Sequence, residues 1–286
     1  MVHQSAQSDR PRAGEQGTGS CRLLARNRLP QRCHRGILAA AGGGPGWLRS
    51  VKIIVLPPGG AIEQASAKLS ARLAELFPRG VLAAELSGPG DETTLMPAEA
   101  QGIANAVAKR RQEFAAGRAC SRLLLREFDV VDYALLAGDD RQPLWPKTLV
   151  GSITHTQQFC AAVVAESTTV RAIGIDSEIS GGVKPELWVR LCTAAERAWL
   201  ETLEISDRRA AATLLFSAKE AFYKSQYPLT RQKLSFQDAT IQVDWGSQRG
   251  AFSVHAPRAT ATRDREPVRG RFLFHEQFVT TGIALE

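Results

Sequence analysis

The sequence is poor in the residues that build stapled or metal-clustered domains. Its five cysteines (Cys21, Cys33, Cys120, Cys160 and Cys192) are odd in number, widely scattered and never in a C-x-x-C pair. That argues against a disulfide framework or a thiolate zinc site, and fits a reduced, cytoplasmic setting. No apolar run approaches the roughly 18 to 20 residues that span a bilayer. The longest weakly polar stretch, Ile37 to Leu48, is broken by Gly42, Gly43, Gly44, Pro45 and Gly46, so no membrane partner is expected. Lysine is absent from the first 50 residues, which instead hold eight arginines against only Asp9 and Glu15. Of the +7 formal charge, this segment carries +6. The other 236 residues, with 28 bases against 27 acids, are nearly neutral.

Hydrophobic residues make up 44% and charged residues 23% of the 286, which excludes a disordered or fibrous body and leaves room for one large domain or two of ordinary size. Residues 1–50 are different, being rich in Gly, Arg, Gln and Ser without a sustained period of 2.0 or 3.6. Three readings compete for this segment: a disordered extension or mis-set start, a transit-like leader, and a basic nucleic-acid arm. None bears on catalysis.

Order is expected from Val51, where a β-branched run to Leu56 meets Pro57, Pro58, Gly59 and Gly60. A helix is expected over Ala61 to Phe77, a strand over Val81 to Leu86, and one long helix from Pro97 to about Phe128 carrying Lys109, Arg110, Arg111, Arg118 and Arg122. Turn chemistry fills Gly138 to Pro146. The period then changes to two, and Ser152 to His155, Phe159 to Ala165 and Ala172 to Glu178 read as strands of one sheet. Thr193 and Glu196 form a capping-box pattern opening Ala194 to Leu203, and Ser206 with Asp207 can cap a helix that Pro228 stops near Tyr227. Strands are expected at Ala239 to Val243, Phe252 to Val254, Arg271 to His275 and Phe278 to Ala284. The class is α+β.

Three groups of residues carry candidate chemistry. In Gly174-Ile175-Asp176-Ser177-Glu178, a strand puts Asp176 and Glu178 on one face. Paired carboxylates repel unless a cation lies between them and suit Mg²⁺, although two solvated acids at a strand end would look the same. In Phe216 to Lys224, a helix puts Glu220 and Lys224 on one stripe with Lys219 about 100° round. This group can complete a metal site, orient a phosphate or accept a proton, or be an ordinary surface ion pair. In Gly151-Ser152-Ile153-Thr154-His155, the histidine can bond a phosphate or be a satisfied core residue.

Taken in order, these three elements resemble the signatures of 4'-phosphopantetheinyl transferases, which carry a G-[IV]-D-x-E element and an [FW]-[SCT]-x-K-E-[SA]-x-x-K element some forty residues apart. Here Asp176 and Glu220 are 44 apart. Lys109 to Arg118 and Gln142 to Pro146 are also similar to the bacterial subgroup that activates siderophore synthetases and broad-range carrier proteins. The similarity covers about residues 95 to 245.

The resemblance implies two similar α+β halves packed as an intramolecular pseudo-dimer, with coenzyme A in the cleft between them; following the disordered basic leader read from composition at 1–50, the halves would be residues 51–150 and 151–286. It implies Mg²⁺-dependent transfer of the phosphopantetheine arm of coenzyme A to a serine of an apo acyl-, peptidyl- or aryl-carrier protein, releasing adenosine 3',5'-bisphosphate. Asp176, Glu178 and Glu220 would ligate Mg²⁺. Glu220, or a water it holds, would be the base for the carrier serine, and Lys219 and Lys224 would offset charge on the phosphates. His155 would bind a phosphate, Arg110 and Arg118 the 3'-phosphate region, and Ser152 and Thr154 the same pocket. No fixed role follows for Arg141, since coenzyme A contacts in this loop differ between members. Arg231, Gln232 and Lys233 are candidates for carrier recognition, and a chain that already holds two halves is expected to be a monomer. The alternatives are a silent module binding coenzyme A or a carrier protein, which intact Asp176, Glu220 and Lys224 weigh against, and a nucleic-acid-binding protein, which the localised charge disfavours.

Overall fold

The computed structural model describes residues 66–156, 158–260 and 266–286. The strand expected at Val51 to Leu56, the first residues of the helix expected from Ala61, and the leader lie outside them. Where that helix was expected, the described chain forms a short strand β1 (Lys68–Leu69) and one helical turn α1 (Ala71–Ala74). Ser70 stops the strand and caps the turn, its Oγ accepting from Leu73 N and donating to the buried carboxylate of Glu85 at 2.8 Å.

β2 (Leu82–Ser87) follows, then α2 (Pro97–Ile103) and α3 (Ala108–Glu127). The single helix expected over Pro97 to Phe128 is therefore two. The break falls where Gly102, Asn105 and the extended Val107 offer little helical propensity. Glu99 rewards the break: it is buried, and it accepts from Met96 N, Leu135 N and Arg122 Nη2 at 3.0, 2.9 and 2.8 Å. A straight helix would not bring those three donors to one carboxylate.

β3 (Leu149–Thr156) and β4 (Phe159–Glu166) pair antiparallel and complete a sheet in the order β1-β2-β4-β3. α3 covers one face through Ala116, Cys120 and Leu124, at helical spacing against Ala162 and Val164 of β4. A second antiparallel sheet has the order β5-β9-β8-β7-β6, formed by β5 (Ala172–Ile179), β6 (Thr240–Val243), β7 (Arg249–His255), β8 (Val268–His275) and β9 (Phe278–Leu285). Ala172 to Glu178 was expected in one sheet with the two strands before it. Instead β5 pairs with β9, and only side chains stitch it to β3: Ser152 Oγ accepts from Ile175 N at 3.1 Å and Thr154 Oγ1 from Ser177 N at 2.9 Å. The chain changes sheets between Glu166 and Ala172, so β3 and β4, expected in the second half, share a sheet with β1 and β2.

Three helices belong to the second sheet: α4 (Trp188–Leu191), α5 (Ala194–Thr202) and α6 (Ile205–Thr230). The capping box of α5 is present as read, with Thr193 N donating to Glu196 Oε2 at 2.6 Å and Glu196 N to Thr193 Oγ1 at 3.3 Å. α6 runs past Pro228, which was expected to stop it, because proline in the last turn forfeits only the bond to the Lys224 carbonyl. The helix ends at Arg231, whose φ of 55° is left-handed, as its N–H caps the Tyr227 carbonyl at 2.9 Å. Leu214, Leu215, Ala218, Ala221 and Phe222 form its buried stripe against Phe252, Phe272 and Val279 of the sheet.

The second half turns on one ion pair. Lys219 Nζ donates to Glu196 Oε2 at 2.7 Å, to the Leu191 carbonyl at 2.8 Å and to the Phe236 carbonyl at 2.7 Å, with the two charged side chains 2% and 1% exposed. Glu196 Oε1 accepts from Ile241 N at 2.7 Å. All three ammonium protons are thus consumed in tying α4, α5 and the turn before β6 to α6. Lys219→Met would strand a buried carboxylate and is expected to lower stability by about 3–5 kcal/mol. Urea unfolding followed by far-UV circular dichroism measures this, and a change under about 1 kcal/mol would mean the pair is not structural.

Candidate active site

α6 lies directly on β5. A Cβ added at Gly174 would sit 1.9 Å from the Ala221 carbonyl oxygen, so only glycine lets the helix approach this closely. The consequence is chemical, because Glu220 and Lys224 flank the contact on the helix while Asp176 and Glu178 follow it on the strand. Lys224 Nζ reaches Asp176 Oδ1 at 2.7 Å and the Ile175 carbonyl at 3.2 Å. Thr154 Oγ1 donates to the same Asp176 oxygen at 3.3 Å.

The three carboxylates feel one another. Burial first, then the charges of Asp176 and Glu220, push Glu178 up to about 7. Burial and Asp176 likewise raise Glu220, against the pull of Lys224. Asp176 Oδ2 is buried without a hydrogen-bond partner. Among the described residues no three ligating side chains converge as a ready cage. Mg²⁺ does not need one, since it is usually held by one or two carboxylates and completes its shell with water and substrate phosphate. An orphaned carboxylate oxygen beside two acids held back from ionising fits such a cation.

A cavity of about 730 Å³ opens beside this cluster, and Glu220, Lys224 and Tyr223 of α6 form one wall. Arg110, Glu113 and Arg118 of α3 and His155 of β3 line the cavity as well. Arg118 is 6% exposed. Its Nε donates to the Leu135 carbonyl at 2.8 Å and its guanidinium stacks on Phe114, 3.7 Å from the ring centroid. Burial lowers its pKa to about 10, and among the described residues none of its hydrogen bonds or ion pairs engages a carboxylate. Arg110 Nη1 donates to His155 Nε2 at 2.6 Å, and Glu113 Oε2 lies 3.5 Å from Arg110 Nη1 and 3.6 Å from His155 Nδ1. Burial, and then Arg110, lowers the His155 pKa, so the ring is neutral at neutral pH and accepts from the arginine.

Seven of the ten residues singled out from the sequence therefore meet here: Asp176, Glu178, Glu220, Lys224, Arg110, Arg118 and His155. The other three are placed differently. Lys219 was expected in catalysis and phosphate binding, but one helical step turns it to the far side of α6, where Glu196 and two carbonyls use all its protons. Ser152 and Thr154 were expected to hold the co-substrate, but their buried hydroxyls are taken up by the amides of β5. Ser152 still borders the cavity. Of the residues considered for carrier recognition, Arg231 and Lys233 line the cavity mouth, whereas Gln232 is engaged internally, donating to the Arg258 carbonyl and accepting from Gln226 through its own carbonyl. Glu113 and Tyr227 were overlooked, though both were visible in the spacing. Glu113 is three residues beyond Arg110, and Tyr227 seven beyond Glu220 on the same helical stripe.

A glutamate held near 7 when folded and near 4.5 when unfolded binds more protons in the native state across that window, so it takes stability away as pH rises. His155 acts in the opposite sense, its lowered pKa adding stability as pH rises toward its unfolded value. Glu178→Gln isolates the first effect. In chelator, its melting temperature relative to the unsubstituted protein is expected to rise from pH 5 to pH 7.5, as followed by differential scanning fluorimetry. A constant difference across that range would show that Glu178 is an ordinary solvated acid.

Comparison with known proteins agrees with this geometry. Residues 98–165 match the family model for the 4'-phosphopantetheinyl transferase N-terminal domain, and residues 172–269 match that of the 4'-phosphopantetheinyl transferase superfamily. The two matches meet where the chain passes from one sheet to the other. The 4'-phosphopantetheinyl transferase Npt of Nocardia iowensis is 36% identical over 221 residues, covering 73% of this chain and 97% of its own. The 4'-phosphopantetheinyl transferase PptT of Mycobacterium tuberculosis is 36% identical over 211 residues, covering 71% and 91%. The 4'-phosphopantetheinyl transferase Svp of Streptomyces mobaraensis is 36% identical over 203 residues, covering 69% and 81%. Matched by both family models and by relatives 36% identical over most of their own length, the chain belongs to the 4'-phosphopantetheinyl transferase superfamily.

Proposed function

We propose that this chain moves the 4'-phosphopantetheine group of coenzyme A onto a serine of an apo acyl-, peptidyl- or aryl-carrier protein, with Mg²⁺, and releases adenosine 3',5'-bisphosphate. One observation carries the reading. One cavity is lined by a buried arginine that, among the described residues, has no carboxylate hydrogen-bond or ion-pair partner, and by Glu220 and Lys224, with Asp176 bonded to that lysine and Glu178 repelled by both acids. This arrangement suits a ligand with two phosphate-bearing ends, one met by guanidinium and one by a cation held between acids.

Arg118 and Arg110 would take the 3'-phosphate end. Arg118 is preorganised by Phe114 and the Leu135 carbonyl, so little side-chain freedom is lost on binding. His155, neutral and already hydrogen-bonded to Arg110, would complete that pocket. Asp176, Glu178 and Glu220 would hold Mg²⁺, which supplies positive charge beside the pyrophosphate. Lys224, poised between Asp176 and the cavity, would steady the phosphate oxygens as negative charge redistributes during in-line attack. The carrier serine must lose a proton as its oxygen attacks. Glu220, whose raised pKa makes it a better base than a free glutamate, would accept that proton directly or through a water it holds. Lys219 serves by holding α6 in place.

Incubation with Mg²⁺, coenzyme A and a panel of apo carrier proteins is expected to add about 340 Da to at least one of them, the mass of the transferred group. Intact-protein mass spectrometry reads the adduct, and its absence across the panel would refute the reading. Glu220→Gln is expected to cut kcat/KM by at least about 100-fold with the fold intact, whereas Lys219→Met would lose activity only in proportion to its unfolded fraction. Full turnover by Glu220→Gln would remove the assigned role.

A further inference from the structure

The cavity mouth is crossed by a feature that the transfer chemistry has not used. Between α3 and β3 the chain forms a narrow loop in which Ala137 bridges Pro143, Gly138 N donates to the Gln142 carbonyl at 2.8 Å, and Arg141 N donates to the Gly138 carbonyl at 2.8 Å. The tip, Asp139 to Arg141, reaches from the first half to the end of α6 in the second. There Tyr227 Oη donates to Asp140 Oδ2 at 2.6 Å. Arg231 Nη1 lies 3.9 Å from the same oxygen, and its guanidinium is 5.7 Å from the Tyr227 ring centroid. Tyr227 is buried and stacks on Tyr223, with ring centroids 5.3 Å apart, so its hydroxyl is fixed from below.

Directly after this anchor, Arg141 has a φ of 65°, a left-handed conformation that a residue with a Cβ adopts at a cost. Arg141 is exposed and lines the cavity. Among the described residues, no ion pair or hydrogen bond of its guanidinium is present, whereas the neighbouring Arg110, Arg118 and Arg231 are all engaged. Strain of this kind persists where the surroundings over-determine it, and here the two turn bonds and the Asp140 anchor do so.

We propose that Tyr227 and Asp140 are positioning residues that pin this loop across the cavity and hold the strained Arg141 as a free guanidinium for a phosphate of coenzyme A. The inference rests on the function proposed above. The strap is made between the two halves, so it can close only when α6 is fully formed to its left-handed cap. It also makes the anion site a property of the folded pair of halves rather than of either one.

Calorimetric titration of coenzyme A into the full chain in chelator tests it without any dependence on turnover. Tyr227→Phe and Arg141→Ala are each expected to weaken binding about tenfold, the usual scale of one hydrogen bond or contact to a charged group. Tyr227→Phe made in the Arg141→Ala background is expected to add less than about twofold, because Tyr227 acts through Arg141. Both single variants should melt within about 2 °C of the unsubstituted protein. Unchanged affinity in Tyr227→Phe, or full additivity in the double variant, would overturn the proposal. Failure of the unsubstituted protein to bind coenzyme A would instead count against the proposed function.

Discussion

Among the described glycines, Gly174 leaves the least room for a side chain, where α6 meets β5, and the rest of the site is hung from that contact. A helix laid on a strand normally keeps a side chain's width between the two backbones. Here the Ala221 carbonyl occupies the space that a Cβ of residue 174 would need. The small residues Ala211, Ala212, Ala218 and Ala221 along the buried stripe let the whole helix settle to that depth. Glu220 and Lys224 then look across a short gap at Asp176 and Glu178, which is why the charges of these groups perturb one another. Ser217 Oγ and Thr281 Oγ1, 2.9 Å apart, pin the same helix to the neighbouring strand.

Repulsion built into this contact costs folding free energy. Two acids are held above their ordinary pKa, and one carboxylate oxygen is buried without a donor. The third acid, Asp176, meets Lys224 and the Thr154 hydroxyl through its other oxygen. Elsewhere the molecule treats its buried carboxylates differently. Glu85, Glu99 and Glu196 each meet a cation together with further donors: Arg72 and Ser70 for the first, Arg122 and two amides for the second, Lys219 and two amides for the third. Those three sites fasten loops and helices to the sheets. The contrast sets these three fully satisfied acids apart from the cluster of Asp176, Glu178 and Glu220.

Much of the site was readable because spacing survives folding. Asp176 and Glu178 two apart on a strand, and Glu220 and Lys224 four apart on a helix, each had to share a face. The strands from Val81 onward were found within a few residues because alternation and turn residues are local. What spacing could not supply is what stands opposite each face. Lys219 and Glu220 are adjacent in sequence, and only the packing of α5 shows that one faces a buried glutamate and the other the cavity. Ser152 borders the cavity, yet its hydroxyl and that of Thr154 are claimed by a strand joined to theirs by no backbone ladder, a seam invisible to periodicity. The split between α2 and α3 was hidden for a related reason: the three donors that satisfy Glu99 come from Met96, Arg122 and Leu135, far apart along the chain.

Gly174→Ala adds one methyl group at the contact on which the account depends, and leaves every charged residue in place. Its single-turnover rate of phosphopantetheine transfer, measured on protein shown to be folded by circular dichroism, is expected to fall by about 100-fold or more, the scale of a displacement near 1 Å between reacting groups. A folded Gly174→Ala protein that transfers at the rate of the unsubstituted chain would contradict the claim that the seating of α6 on β5 sets the geometry of the site.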